Sequence, residues 1–225
     1  MVHSEKIVRP GAGEGGPRSR IVAAARGLFM TRGFVRVTAD DLAAELGISK
    51  ATLYRVFRSK EEILRAVIRG ILNEILSHVE GLIRDDSLGF VEKMVALFTY
   101  LGTRISRFQP VLIRDLQRSV PDIWKEIDDF RRDKIFKNFK VILEAGRREG
   151  FFREDVDIDL LLQMFVSLIQ EFVNPAALLR SGRSPAATFE SVIKVFFQGI
   201  LTDSGHKDIS ARTPALFEPR KEGVS

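Results

Sequence analysis

The densest run of chemistry-bearing side chains in this chain lies between residues 49 and 60, where Ser49, Lys50, Thr52, Tyr54, Arg55 and Lys60 follow in close order. All are hydrogen-bond donors, and three carry a fixed positive charge at neutral pH. Such groups suit the acceptor-rich edges of base pairs and the phosphate oxygens beside them. Lys50 and Arg55 match guanine edges, and Thr52 matches a base or a thymine methyl. Thr38, Tyr54 and Lys60 match phosphate. A lysine at the first position of a helix opposes the macrodipole and calls for a compensating anion, which a DNA phosphate would supply. Tyr54 puts a phenol on an exposed face, where structure alone rarely calls for one. Ser49 and Ala51 complete the expected contact set.

Residues with such duties must be held by short, well-capped elements. Thr38 is a good N-cap, and Asp41 falls three residues later, where its carboxylate can reach back to a free backbone N–H. Leu42, Ala43 and Leu46 then share one side of a short helix that Gly47 can end in the left-handed conformation. Ser49 caps a second short helix, with Leu53 and Phe57 inward. Ser59 and Glu62 form another capping box and open a third. Upstream, Pro17 suits a helix start, and Ile21, Ala24, Ala25, Leu28 and Phe29 make one apolar face before Gly33 stops the helix. Two short helices joined by a tight glycine turn, braced from behind, read as a helix-turn-helix.

From Ile21 to Leu64 the chain resembles the DNA-binding domain of TetR-family transcriptional regulators. The resemblance is carried by Ala24, Ala25, Leu28, Phe29, Gly33, Phe34, Thr38, Leu42, Ala43, Gly47, Ser49, Lys50, Thr52, Leu53, Tyr54, Phe57, Ser59, Lys60, Glu61 and Leu64. Val56 departs from it, since many members carry an aromatic residue or histidine there that touches the DNA backbone. The remainder of the chain matches the family only in length and in being helical. The resemblance implies a homodimeric regulator on a palindromic operator in double-stranded DNA. It is expected to be a repressor released by a small hydrophobic ligand; the alternatives are an activator, a regulator without a small-molecule inducer and, from another class, a helical interaction protein or enzyme without DNA binding.

Composition agrees with a DNA-binding module joined to a neutral one. Residues 1–60 contain 11 Lys or Arg against 5 Asp or Glu, while residues 61–225 contain 24 against 25, so the whole net charge of +5 originates in the first segment. There are no cysteines, which excludes disulfides and thiolate zinc sites. No apolar run approaches the roughly 20 residues of a membrane span, and no secretory h-region opens the sequence, so a cytoplasmic protein without membrane association is expected. Catalysis is not expected. The only histidines are His3, His78 and His206, no GxSxG, P-loop or HExxH pattern occurs, and the adjacent Asp128 and Asp129 cannot face each other across a substrate. No cofactor and no metal are expected.

The periodicity predicts an all-α protein of about nine helices: a flexible arm over 1–16, the helix-turn-helix domain over 17–64, a ligand-binding and dimerisation domain over 65–202, and a mostly disordered tail over 203–225. The fourth helix should run from 59 to about 85 and bridge both domains. A long seventh helix should run from Pro121 to Gly150. The second domain is rich in phenylalanine, which leaves room for an apolar cavity between helices. Facing along the helices selects Phe98, Leu101, Phe108, Leu112, Phe136, Phe139, Leu143, Phe165 and Phe172 as its walls, and the resemblance implies a small-molecule site there. Gln163, Ser167, Gln170 and Asn174 form a polar stripe on the eighth helix, which fits a solvated edge, a pocket wall or a dimer seam. The ninth helix is apolar over a broad arc, so Phe189, Val192, Ile193, Phe196, Phe197 and Ile200 are expected to meet a second protomer. With the eighth helix of each protomer they would make a four-helix bundle.

Overall fold

A computed structural model describes residues 16–107, 109–172, 177 and 182–212. The described residues are helical in α1 (Pro17–Arg32), α2 (Ala39–Leu46), α3 (Lys50–Val56), α4 (Lys60–Arg84), α5 (Phe90–Ser106), α6 (Pro110–Ser119), α7 (Pro121–Phe130), α8 (Phe136–Arg148), α9 (Ile158–Phe172), α10 (Pro185–Ile200) and α11 (Asp203–Arg212). Among them the sole β pairing is an isolated antiparallel bridge between Phe152 and Leu201. The fold is all-α, as the periodicity predicts.

Capping chemistry fixes the start of the short helices. Thr38 accepts from the backbone N–H of Asp41, and the Asp41 carboxylate accepts in return from the N–H of Thr38, a reciprocal capping box. Ser49 and Ser59 cap α3 and α4 through the N–H groups of Thr52 and Glu62. Gly47 ends α2 at φ 64°, ψ 33°, a left-handed conformation that costs a glycine nothing.

Two expectations need correction. The long helix expected over 121–150 is divided: α7 passes through a π-helical turn, Arg131–Ile135, before α8 resumes. The tail expected to be disordered from 203 onward forms α11 as far as Arg212. Thr202 begins that helix, its hydroxyl accepting from the N–H of Gly205 and donating to the carbonyl of Gly150, and Ile209 is buried in the adjoining core. A single well-anchored apolar residue and a local cap hold a segment whose composition reads as polar. The arm over 1–15 and residues 213–225 lie outside the described residues.

Burial gathers into two apolar clusters. The first unites Ile21, Phe29, Leu42, Leu53 and Phe57 from α1 to α3 and its flank with Ile63 to Ile71 of α4, and also takes in Leu112, Leu116, Ile123 and Ile127 from α6 and α7. The second is built on α5, α8, α9, α10 and α11 around the Phe98, Phe139, Phe165 and Phe197 rings. Ile75 of α4 packs against both. Packing therefore does not divide at residue 64; the core of the helix-turn-helix continues into α6 and α7.

Candidate nucleic-acid interface and helical cavity

On α3 the apolar residues turn inward, Leu53 and the following Phe57 being essentially inaccessible. The opposite side consequently exposes Lys50, Ala51, Tyr54 and Arg55, with Ser49 exposed at its start and Thr52 half-buried. The polar groups are mutually arranged. The Ser49 and Thr52 hydroxyls lie 2.9 Å apart, and the Arg55 guanidinium donates to Thr52 Oγ1 at 2.9 Å. Lys50 pairs with Asp40 of α2 at 3.0 Å, an exposed contact of the kind worth about 0–1 kcal/mol and readily exchanged for a DNA acceptor. Thr38 is exposed at the start of α2, its hydroxyl donating to the Asp41 carboxylate at 2.7 Å. These hydrogen bonds from Thr38 hold Asp41 below the usual carboxylate range. Arg18, at the start of α1, stacks over the Phe57 ring at 4.2 Å.

Lys60 behaves differently from its neighbours. Its ammonium donates to the carbonyls of Phe34 and Val37, at 3.0 and 2.9 Å, and lies 4.2 Å from the centre of the Phe34 ring. The compensation that a cation at a helix start requires comes from the α1–α2 connection, so that no phosphate has to be invoked to explain it. One of its three N–H groups is left for a phosphate.

A residue that sequence reasoning missed stands behind that connection. Asp115 of α6 is 6% exposed, and its carboxylate accepts the backbone N–H of Val35 at 2.9 Å. The approach requires Gly33, at φ 82°, because a Cβ there would lie 2.8 Å from Asp115 Oδ2 and 2.9 Å from a Val111 methyl. The available signal was an acidic residue within the apolar face Leu112, Ile113, Leu116. Further polar links tie α4 to its neighbours. Glu74 binds Arg26 of α1 at 2.9 Å and Arg104 of α5 at 3.3 Å, while Glu126 of α7 receives Arg65 and Arg69. The hydrogen bond from Arg26, with Arg104 beside it, holds Glu74 below the usual carboxylate range and raises Arg26 in turn.

A cavity of about 170 Å³ lies at the seam of the two cores. Its walls are Ile68, Ile71, Leu72 and Ile75 of α4, with side chains from α5, α6, α7, α9 and α10. Of the walls expected from helical facing, Leu101 and Phe165 line it. Phe98, Phe139 and Leu143 are instead packed in the second core, where the Phe139 and Phe165 rings meet at 4.5 Å, tilted by 31°, and Phe98 meets Phe197 edge-on. Leu112 belongs to the first core, and Phe172 is exposed. Phe108 and the side chain of Phe136 lie outside the described residues. Most of the expected rings fill space rather than enclose it, and the lining draws instead on aliphatic side chains of several helices, four of them from α4, which the phenylalanine count could not indicate.

The expected dimer surface also needs correction. Phe189, Ile193, Phe196, Phe197 and Ile200 are all buried within the single chain, and Val192 is half-buried. The broad apolar arc of α10 is consumed by α5 and α9 of the same protomer. Among the described residues of these two helices, the large apolar side chains left in the open are Leu160, Met164 and Phe172 of α9, 55%, 49% and 48% exposed, and Val195 of α10, 72% exposed. Gln163, Ser167 and Gln170 of the polar stripe lie exposed beside them; Asn174 lies outside the described residues. Among the described residues no helix is long and apolar enough to cross a membrane, and no cluster of potential metal ligands occurs.

Residues 21–67 match the family described as "Bacterial regulatory proteins, tetR family". The chain is 26% identical over 184 residues to the uncharacterised HTH-type transcriptional regulator YvaF of Bacillus subtilis, covering 82% of this chain and 95% of that one. It is 28% identical over 147 residues to the HTH-type transcriptional repressor KstR2 of Mycobacterium tuberculosis, 64% of this chain and 73% of that one. In architecture it superposes on a regulator from Marinobacter aquaeolei VT8 with a TM-score of 0.72 at 17% identity, covering 91% of this chain and all of the other.

Proposed function

We propose that the chain is a member of the TetR family of bacterial regulatory proteins and a repressor of transcription that binds a palindromic operator as a homodimer and leaves it when a small apolar ligand enters the cavity beside α4. The observation that carries this reading is the exposed face of α3, where Lys50, Tyr54 and Arg55 stand beside Ser49 and Thr52. Lys50, Thr52 and Arg55 read bases in the major groove, and Thr38, Ser49, Ala51, Tyr54 and the remaining N–H of Lys60 set the register on the backbone. That KstR2 is a repressor supports repression over activation.

Release follows from where the cavity sits. Four of its walls belong to α4, whose first residue clamps the α1–α2 connection, and Ile113 and Leu116 belong to α6, whose Asp115 holds Val35. A ligand that binds two arrangements of these helices unequally shifts their populations, about 5.5 kcal/mol of difference taking 1:99 to 99:1. Dimerisation is assigned to the exposed side of α9 and α10 around Leu160, Met164 and Val195, and the protein acts in the cytoplasm. The test is fluorescence anisotropy of labelled genomic fragments against the purified protein. Saturable binding to one fragment, protected over two related half-sites, is expected; equal binding to every fragment would overturn the assignment.

A further inference from the structure

The cavity is apolar apart from a few groups, and among the described residues its only charged lining residues are two arginines, Arg104 and Arg131. Among the described residues no acidic side chain lines it; Glu74 and Asp128, which pair with these arginines, are not part of the wall. Arg131 opens the π-helical turn between α7 and α8, and such single turns re-aim side chains and recur at functional sites. Its protein partners are thin. Nη1 donates to Asp128 at 3.3 Å, and the guanidinium lies 5.5 Å from the Trp124 ring centre. A guanidinium has five N–H donors, so among the described residues most of its capacity meets no protein acceptor. Burial outweighs the attraction of Asp128 and lowers the Arg131 pKa, yet a third of its side-chain surface remains accessible, as befits a group embedded in protein but open to a cavity. Arg104 is held at 3.3 Å by Glu74, whose second oxygen and better geometry belong to Arg26.

A neutral hydrocarbon in this space would cover both guanidinium groups and satisfy neither, at the cost of desolvating them. A carboxylate or phosphate would accept from them in the bidentate geometry that arginine favours. Building on the reading of the cavity as the inducer site, we propose that it selects an amphiphile with a compact apolar body and one anionic oxygen headgroup, received by Arg131 and Arg104. The apolar body meets Ile71, Ile75, Leu101 and Phe165. The volume, below the roughly 300–1,000 Å³ of most ligand pockets, favours a short chain or a single ring system.

Isothermal titration of the full chain with octanoate, octyl phosphate and octanol tests this. At least one anionic probe is expected to bind tenfold or more tightly than octanol, and the tighter of the two identifies the headgroup. Arg131→Met should reduce that preference to less than twofold, Arg131→Lys should retain part of it, and Arg104→Met should weaken it in a variant that leaves the π-helical turn intact. Circular dichroism confirms that each variant is folded, and Arg104→Met decides alone if Arg131→Met is not. Equal binding of octanol and both anions, no binding of any probe, or a preference that survives in every folded variant would overturn the proposal. Operator anisotropy with the same probes separates it from the inducer reading. Selective anion binding that leaves operator affinity unchanged sustains the headgroup site and removes induction, whereas equal release by octanol and octanoate does the reverse.

Discussion

At the scale of single residues, two lysines of like sequence context have different duties. Lys50 is exposed and lightly paired, and Lys60 is built into the α1–α2 connection through two carbonyls. Lys60→Ala should lower stability by about 1–2 kcal/mol, because charge-assisted hydrogen bonds to two half-buried carbonyls are lost, and should weaken all DNA sequences alike. Arg55→Ala should leave the melting temperature unchanged and cost about 1–3 kcal/mol at one base pair. Thermal denaturation beside binding to a panel of operator variants distinguishes the two, and a changed sequence preference in Lys60→Ala alone would reverse the roles. Glu74 gives a pH dependence. Its pKa is lower folded than unfolded, so its stabilising contribution is present above the unfolded value of about 4.3 and is lost as pH falls through the lower folded value. Glu74→Gln should therefore be less stable than the parent at neutral pH, and the gap should narrow below about pH 4 in chemical denaturation.

At the scale of elements, α9 and α10 show where sequence is legible and where it is not. Their existence and the apolar period of Phe189, Ile193, Phe196 and Phe197 are readable from the sequence. What the period cannot say is which neighbour covers the apolar arc, since burial against α5 and burial against another protomer select the same residues. The same ambiguity displaced the expected cavity walls from α4 to the phenylalanines. The helix-turn-helix escaped it because its caps, glycine turn and donors are local in sequence, whereas Asp115 reaches Val35 across 80 residues. The exposed side of α9 and α10 carries the dimer prediction. Leu160→Asp with Val195→Asp should yield folded monomers by analytical ultracentrifugation, since a charge in a desolvated interface costs several kcal/mol. Phe196→Ala should instead destabilise the protomer itself by about 3–5 kcal/mol. A double variant that still sediments as a dimer would place the interface elsewhere.

At the scale of the whole molecule, Asp115 joins the α1–α2 connection to the helices that enclose the cavity. Asp115→Ala leaves the Val35 N–H without its partner and should cost about 1–3 kcal/mol; Asp115→Asn, which keeps an acceptor, should recover much of it. Hydrogen exchange at the Val35 amide reads the loss directly, and unchanged protection in Asp115→Ala would show that another group holds the connection. The sharing of one apolar cluster between α1–α4 and α6–α7 also bears on how such proteins can be recombined. An exchange of reader heads between two regulators, cut at residue 64, would strip Leu112, Leu116, Ile123 and Ile127 from the core that Phe29 and Leu64 require, and would leave an open apolar scar on both pieces. A transferable part has to carry α6 and α7 along with α1–α4. It then carries much of the cavity wall as well, so in this architecture a new DNA address cannot be grafted without importing part of the receptor that governs it.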